Sequence, residues 1–219
     1  MDLFGKKFAA VLFDMDGTLI SSTAAVDRSW SRLAQEYDAP LKRLGDFHGV
    51  PSKQLIERLL PDSSESKKAS ALARIIELET HDVAGIETLP GAETALRELG
   101  AANRAAIVTS CSKGLADARL AATKLPIPQV IVTADDVEIG KPNPAPYLLA
   151  AQKLGADPRD CLVVEDAPAG CESGRAAGMT VLAVEVTHPI HALAADAKVT
   201  DLAQVRFDVQ NDGISVVKA

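Results

Sequence analysis

The sequence predicts an α/β fold: a Rossmann-like parallel sheet core with helices on both faces, plus a helical domain inserted after the first strand. Three observations predict it. Short, continuously apolar runs recur at residues 8–13, 105–108, 130–132, 162–164 and 181–184, the pattern of strands buried on both faces. Helical stretches separate the last four runs, and strands alternating with helices build parallel sheets. From residue 20 to 88 the pattern is helical, with no convincing strand.

The elements follow in order. The first strand, 8–13, runs into the acidic turn Asp14-Met15-Asp16-Gly17. Residues 22–37 place Val26, Trp30 and Leu33 on one face at helical spacing. Residues 52–60 open on Ser52 as an N-cap and carry Leu55, Ile56, Leu59 and Leu60. A longer amphipathic stretch, 65–83, carries Leu72, Ile75, Ile76 and Glu79. Pro90-Gly91 marks re-entry to the sheet domain, with a helix through Leu99. Helices over 115–125, 144–154 and 167–178 fill the intervals between the later strands. Apolar runs at 205–209 and 214–217 flank Asn211-Asp212-Gly213, the signal of a β-hairpin, expected on the sheet edge. The chain thus divides into an α/β core domain, 1–19 and 88–219, and a helical domain, 20–87.

Composition narrows the function. The 219 residues carry 30 acidic against 23 basic side chains, a formal charge of -7. Content of 47% hydrophobic and 24% charged residues excludes a disordered, collagen-like or coiled-coil chain. The acidic balance argues against nucleic acid as a partner, because that partner needs a basic footprint. No stretch approaches the ~20 apolar residues of a membrane span, and the six-residue apolar run at 8–13 is too short for a signal-peptide core. Cys111, Cys161 and Cys171 form no CxxC, and so sparse a set reads as reduced and cytoplasmic. A monomer or weak dimer is expected.

Four motifs carry chemistry, each at a predicted strand end, where open α/β sheets bind ligands. In Asp14-Met15-Asp16-Gly17-Thr18 two carboxylates repel unless a cation intervenes. Mg²⁺ suits carboxylates, phosphate and water. Thr109-Ser110 sets hydroxyls, and the backbone N–H groups of the next helix, where they could hold phosphate oxygens. Gly140-Lys141-Pro142-Asn143 offers a point charge for a phosphoryl group. Glu165-Asp166 puts adjacent acids at another strand tip, costly without a bound cation. Each of the first three, taken alone, reads more readily as a turn, a helix cap or a solvated lysine.

Acid, hydroxyl, lysine and acid in that chain order resemble the haloacid dehalogenase-like phosphohydrolase superfamily, over nearly the whole chain. The helical insert is similar to that family's type-one cap. The resemblance implies that Asp14 is the nucleophile and forms an aspartyl-phosphate, and that Asp16 is the acid and then the base. It implies that Thr109 binds the transferring phosphoryl group, with Ser110 beside it, and that Lys141 offsets charge. It also implies a Mg²⁺ site of the Asp14 carboxylate, the Asp16 backbone carbonyl and Asp166, supported by Glu165. An acid at position 16 departs from the dehalogenases themselves. None of Lys42, Lys53, Lys67 and Lys68 lies in an apolar run fit for a Schiff-base lysine.

The runs Ala134-Asp135-Asp136-Val137 through Gly140-Lys141-Pro142 and Val164-Glu165-Asp166-Ala167-Pro168 resemble glycerol-phosphate and 2-deoxyglucose-6-phosphate phosphatases. A small phosphorylated sugar or polyol is the expected substrate. A β-phosphoglucomutase-like transfer and a non-catalytic phosphate-binding regulator are the alternatives. His48 and Asn143 are candidate substrate contacts, with a loop histidine and a turn-forming asparagine as the competing readings. Trp30, Cys161 and Cys171 read as core residues, Cys111 as packing, and His81, His188 and His191 as surface residues.

Overall fold

The computed structural model describes residues 3–45, 47 and 50–219. Its strands are β1 (Lys7–Phe8), β2 (Ala10–Phe13), β3 (Ile20–Ser21), β4 (Glu87–Thr88), β5 (Ala105–Val108), β6 (Val130–Val132), β7 (Cys161–Glu165), β8 (Thr180–Val184), β9 (Ala197–Val199), β10 (Val205–Gln210) and β11 (Gly213–Lys218). Its α-helices are α1 (Thr23–Glu36), α2 (Ser52–Leu59), α3 (Glu65–His81), α4 (Ala92–Gly100), α5 (Lys113–Ala121), α6 (Ala145–Leu154) and α7 (Pro168–Ala176).

Six parallel strands form the central sheet in the order β6-β5-β2-β7-β8-β9. The order reverses at β2, which pairs with β5 on one side and β7 on the other. This is the topological switch point, where a crevice opens beyond the strand ends. Alternation along β2 divides the interior. Val11 and Phe13 pack with Ile107, Val164 and Leu182, beside α4 and α5. Ala10 and Leu12 pack with Val108, Tyr147 and Val163, beside α6 and α7.

The apolar run at 8–13 is two strands. Phe8 pairs antiparallel with Ile214 of β11, and Ala9 N–H donates to the Asp160 carbonyl at 2.7 Å as the chain crosses to the central sheet. Both halves are buried, so hydropathy alone could not separate them. The β10–β11 hairpin forms, but it does not extend the central sheet. With β1 it makes a separate three-stranded sheet, and Phe207 meets Phe13 edge-on with ring centroids 5.8 Å apart. The edge position belongs to β9, whose Lys198 is exposed and breaks the apolar pattern.

The helical insert has its own apolar cluster, including Trp30, Leu33, Leu55, Ile56, Leu59 and Ile75. Burying each such side chain contributes roughly 1.5–3 kcal/mol. Contrary to expectation the 20–88 interval contains strand: β3 and β4 pair antiparallel through Ile20–Thr88 and Ser21–Glu87. Two residues each are too few to register as periodicity. They join the chain's entry to the insert with its exit. The N-cap of α2 is Pro51, and Ser52 is the first helical residue. Helix α5 lies two residues earlier than expected at its start, because the Asp135 carboxylate accepts the Lys113 N–H at 2.8 Å. Among the described residues no helix is long and apolar enough to cross a membrane.

Replacing Phe207 with alanine is expected to cost about 3–5 kcal/mol in a urea melt, as for a buried aromatic. A loss below about 1 kcal/mol would mean that the hairpin is not part of the sheet's apolar layer.

Candidate active site

The four motifs converge at the carboxyl edge of the central sheet. Asp14 follows β2, Thr109 follows β5, and Glu165 ends β7 with Asp166 next in chain. Lys141 reaches the same edge from the loop before α6. The Asp14 N–H donates to the Val164 carbonyl at 2.9 Å, which locks the two acidic strand ends in register. These residues, with Asp16 and Ser110, line a cavity of about 440 Å³. The insert supplies its other wall, including Val26, Trp30, Lys53, Leu55, Leu72 and Glu79.

Lys141 organises the floor. Its ammonium donates to Asp14 Oδ1 at 2.6 Å, Glu165 Oε1 at 2.7 Å and the Val108 carbonyl at 2.8 Å. That satisfies all three of its protons. Burial favours the neutral amine, but the Asp14 and Glu165 carboxylates outweigh it and raise the lysine above its usual range. The ring of Tyr147 lies beneath the ammonium, 4.9 Å away, and the Tyr147 hydroxyl donates to Glu165 Oε1 at 3.0 Å. The Asp166 and Ala167 N–H groups donate to Glu165 Oε2 at 3.0 and 3.1 Å. Both oxygens of Glu165 thus have protein donors.

One lysine does not balance three buried acids. Asp14, Glu165 and Asp166 each offer a carboxylate oxygen, all within 4.8 Å of one another. Burial pushes the Asp14 carboxyl up to about 7, against the pull of Lys141 and with the help of Glu165. Burial, then Asp14 and Glu165, hold Asp166 well above the usual carboxylate range, although Thr187 donates a hydrogen bond to it. Hard oxygen donors with excess negative charge are the donor set of a divalent cation such as Mg²⁺. The donors are held in place by glycines. A Cβ on Gly17, whose φ is +86°, would lie 2.0 Å from Asp166 Oδ2. A Cβ on Gly170 would lie 1.6 Å from Glu165 Oε1.

Asp16 is held by a different set. Ser22 Oγ donates to its Oδ1 at 2.6 Å, and Arg119 and the Cys111 thiol approach Oδ2 at 2.9 and 3.3 Å. Ser22 makes no cap hydrogen bond to its own helix, because its hydroxyl is turned to the acid. Arg119 also donates to Glu79 Oε2 at 3.1 Å, and Glu79 Oε1 accepts the Trp30 indole N–H at 3.0 Å.

The other expected residues fall out as follows. Thr109 is buried at the strand end and its Oγ1 accepts the Cys111 N–H at 3.1 Å, while Ser110 is exposed at the cavity rim. Asn143 does not line the cavity: its Oδ1 accepts the Ala145 N–H at 2.9 Å, a turn-forming role. His48 lies outside the described residues. Trp30 is core to the insert. His188 is half-buried rather than a plain surface residue, its Nδ1 3.1 Å from the Thr187 hydroxyl. Arg119, Glu79, Tyr147 and Thr187 carry structure at the site that the motifs did not mark. Cys111 is more than packing, since its thiol contacts both Asp16 and Arg119.

Comparison with known proteins agrees with this geometry. The family model described as haloacid dehalogenase-like hydrolase matches residues 11–184. Hexitol phosphatase A of Escherichia coli is 40% identical over 210 residues, covering 94% of this chain and 97% of that protein. The 2-deoxyglucose-6-phosphate phosphatase 1 of Saccharomyces cerevisiae is 30% identical over 231 residues, covering 94% and 93%. A solved hydrolase structure from Pseudomonas syringae superposes with a TM-score of 0.77 at 28% identity, covering 89% of this chain and 94% of that one. A model match spanning most of the chain, and relatives sharing up to two residues in five along its length, place the chain in the haloacid dehalogenase-like hydrolase family.

Proposed function

We propose that this enzyme is a Mg²⁺-dependent, cytoplasmic phosphatase that hydrolyses small sugar or polyol phosphate monoesters through an aspartyl-phosphate. The observation that carries the reading is the buried Asp14–Glu165–Asp166 cluster, bridged by Lys141 and faced by Asp16 across a small cavity. The names of the hexitol and 2-deoxyglucose-6-phosphate phosphatases support the substrate class. Three free cysteines support the compartment.

Asp14 attacks phosphorus as the ester P–O bond breaks, and Asp16 protonates the leaving oxygen. Asp16 then takes a proton from the water that cleaves the Asp14 acyl phosphate, returning Asp14 and inorganic phosphate. Splitting the displacement in two lowers each barrier, and a placed acid–base group is worth about 10²–10⁴-fold. The Asp14 and Asp166 carboxylates and the Asp16 carbonyl would hold Mg²⁺, which when bound supplies positive charge to the phosphoryl oxygens. Thr109 and Ser110 hold those oxygens, Lys141 holds Asp14, and Glu165 holds Lys141. The insert, 20–87, acts as a cap that opens for substrate and excludes bulk water when closed. Ser52 and Lys53 on its wall suit the hydroxyls of a sugar or polyol.

Phosphate release from a panel of hexitol, deoxyglucose and glycerol phosphates tests the reading. Mg²⁺-dependent release is expected, abolished by a chelator and lowered by at least about 10³-fold in Asp14→Asn. No release from any ester by a folded, Mg²⁺-loaded enzyme would defeat it, and conversion of β-glucose 1-phosphate to glucose 6-phosphate would identify a mutase.

Stability should depend on pH in a defined sense. Burial pushes the Asp14 carboxyl of the metal-free fold up to about 7, from the 3.8 of an ordinary aspartate. The native state therefore binds more protons than the unfolded chain between these values. Metal-free stability is full below the unfolded value and falls as pH rises from about 4 to about 7. Mg²⁺ binds the ionised acids, so the rise in melting temperature it causes should grow over the same window. A Mg²⁺ effect independent of pH would contradict the assignment of Asp14 as a ligand.

A further inference from the structure

The ion pair between Arg119 and Glu79 is the one buried charge pair that joins the insert to the sheet domain among the described residues. Arg119 stands on α5 of the sheet domain and Glu79 on α3 of the insert. Their side chains are 5% and 8% exposed. Burying a guanidinium is costly unless its protons are taken up by charged partners. Here one arm of the fork goes to Asp16 Oδ2 at 2.9 Å and the other to Glu79 Oε2 at 3.1 Å. Arginine suits this bridge because its donors sit in a rigid planar fork, which an ammonium lacks. Glu79 is itself fixed by the indole N–H of Trp30, whose ring is in the insert's apolar cluster. A continuous line of contacts therefore runs from the core of the insert to the Asp16 carboxylate.

We infer that Arg119 is a positioning residue that, held by Glu79 when the insert is closed over the cavity, orients the Asp16 carboxylate for proton transfer. Ser22 fixes one oxygen of Asp16 and Arg119 fixes the other, so the carboxylate cannot rotate. Moving the insert away separates Glu79 from Arg119, because the two lie in different domains. Arg119 then loses the partner that holds its fork in register. Closure over substrate and alignment of the acid–base group thus become a single event. Misplacing a reacting group by about 1 Å can cost on the order of 10²-fold.

This inference rests on the phosphatase reading, and leaving-group dependence separates the two. In formation of the aspartyl-phosphate, esters with a poor leaving group need the acid, whereas p-nitrophenyl phosphate departs without it. The later hydrolysis needs Asp16 as base whichever ester supplied the phosphoryl group. The wild-type, Mg²⁺-loaded enzyme is assayed first with the best alkyl phosphate of the panel and with p-nitrophenyl phosphate. Inactivity toward both would defeat the phosphatase reading and this inference with it. In Arg119→Met, the single-turnover rate of aspartyl-phosphate formation from the alkyl ester is expected to fall roughly 10–100-fold with KM changed less than about threefold, while that from p-nitrophenyl phosphate changes less than about threefold.

Arg119→Met leaves Glu79 buried without its partner and the variant risks instability. Arg119→Met/Glu79→Gln removes that orphan charge, and Arg119→Lys keeps the charge without the fork. Both are expected to melt close to wild type and to keep the selective alkyl-ester defect. Equal losses of that first-step rate on the two esters would overturn the inference. So would a raised KM with unchanged kcat, which would mark Arg119 as a substrate contact, and so would recovery of alkyl-ester turnover in the double variant.

Discussion

The structure depends on a concentration of negative charge that the fold cannot neutralise by itself. Three buried carboxylates share the carboxyl edge of the central sheet, and one ammonium bridges two of them. Burial, and after it the neighbouring carboxylates, raise the proton affinity of Asp14 and Asp166. A site in that condition attracts cations and repels a bare phosphate. A divalent ion would reverse both tendencies at once, and Lys141, already saturated with acceptors, would hold the Asp14 carboxylate in the same orientation.

The scaffold around this cluster follows from the same constraint. The acids must be close, so they sit on adjacent strands, tied by the hydrogen bond from Asp14 N–H to Val164. They must be fixed, so Gly17 in the turn and Gly170 in α7 leave the space that Asp166 and Glu165 occupy, where a Cβ would collide. Tyr147 and two backbone N–H groups satisfy Glu165, which lets a buried acid serve as an anchor for a lysine. Asp16 stands apart, 25% exposed on the cavity side and held by Ser22 and Arg119.

Much of this was legible in the sequence because it lies in local runs. Continuous apolar strands followed by Asp14-Met15-Asp16, Thr109-Ser110, Lys141 and Glu165-Asp166 placed the acids, hydroxyls and lysine on one edge. The missing parts are non-local or ambiguous. Arg119 and Glu79 sit in amphipathic helices where a charged residue reads as solvated, and they meet across 40 positions and two domains. The split of 8–13 was hidden because both halves are apolar and buried. Strand β9 alternates with exposed Lys198, and β3 and β4 are only two residues long, so none shows a usable period. Asn143 carried two readings, and the structure uses the turn-forming one.

The helical insert has an apolar cluster that shares no residue with the two that flank the central sheet. It is joined to the rest through the short β3–β4 ribbon. Apart from Glu79, whose carboxylate holds Arg119, substitutions on its cavity wall can therefore accumulate without touching the residues that hold charge at the strand ends. In evolutionary terms, the wall that the insert supplies and the charged floor at the strand ends are free to diverge at different rates. Descendants of one such chain can serve different metabolites with the same chemistry, provided that each retains a buried link between the two halves.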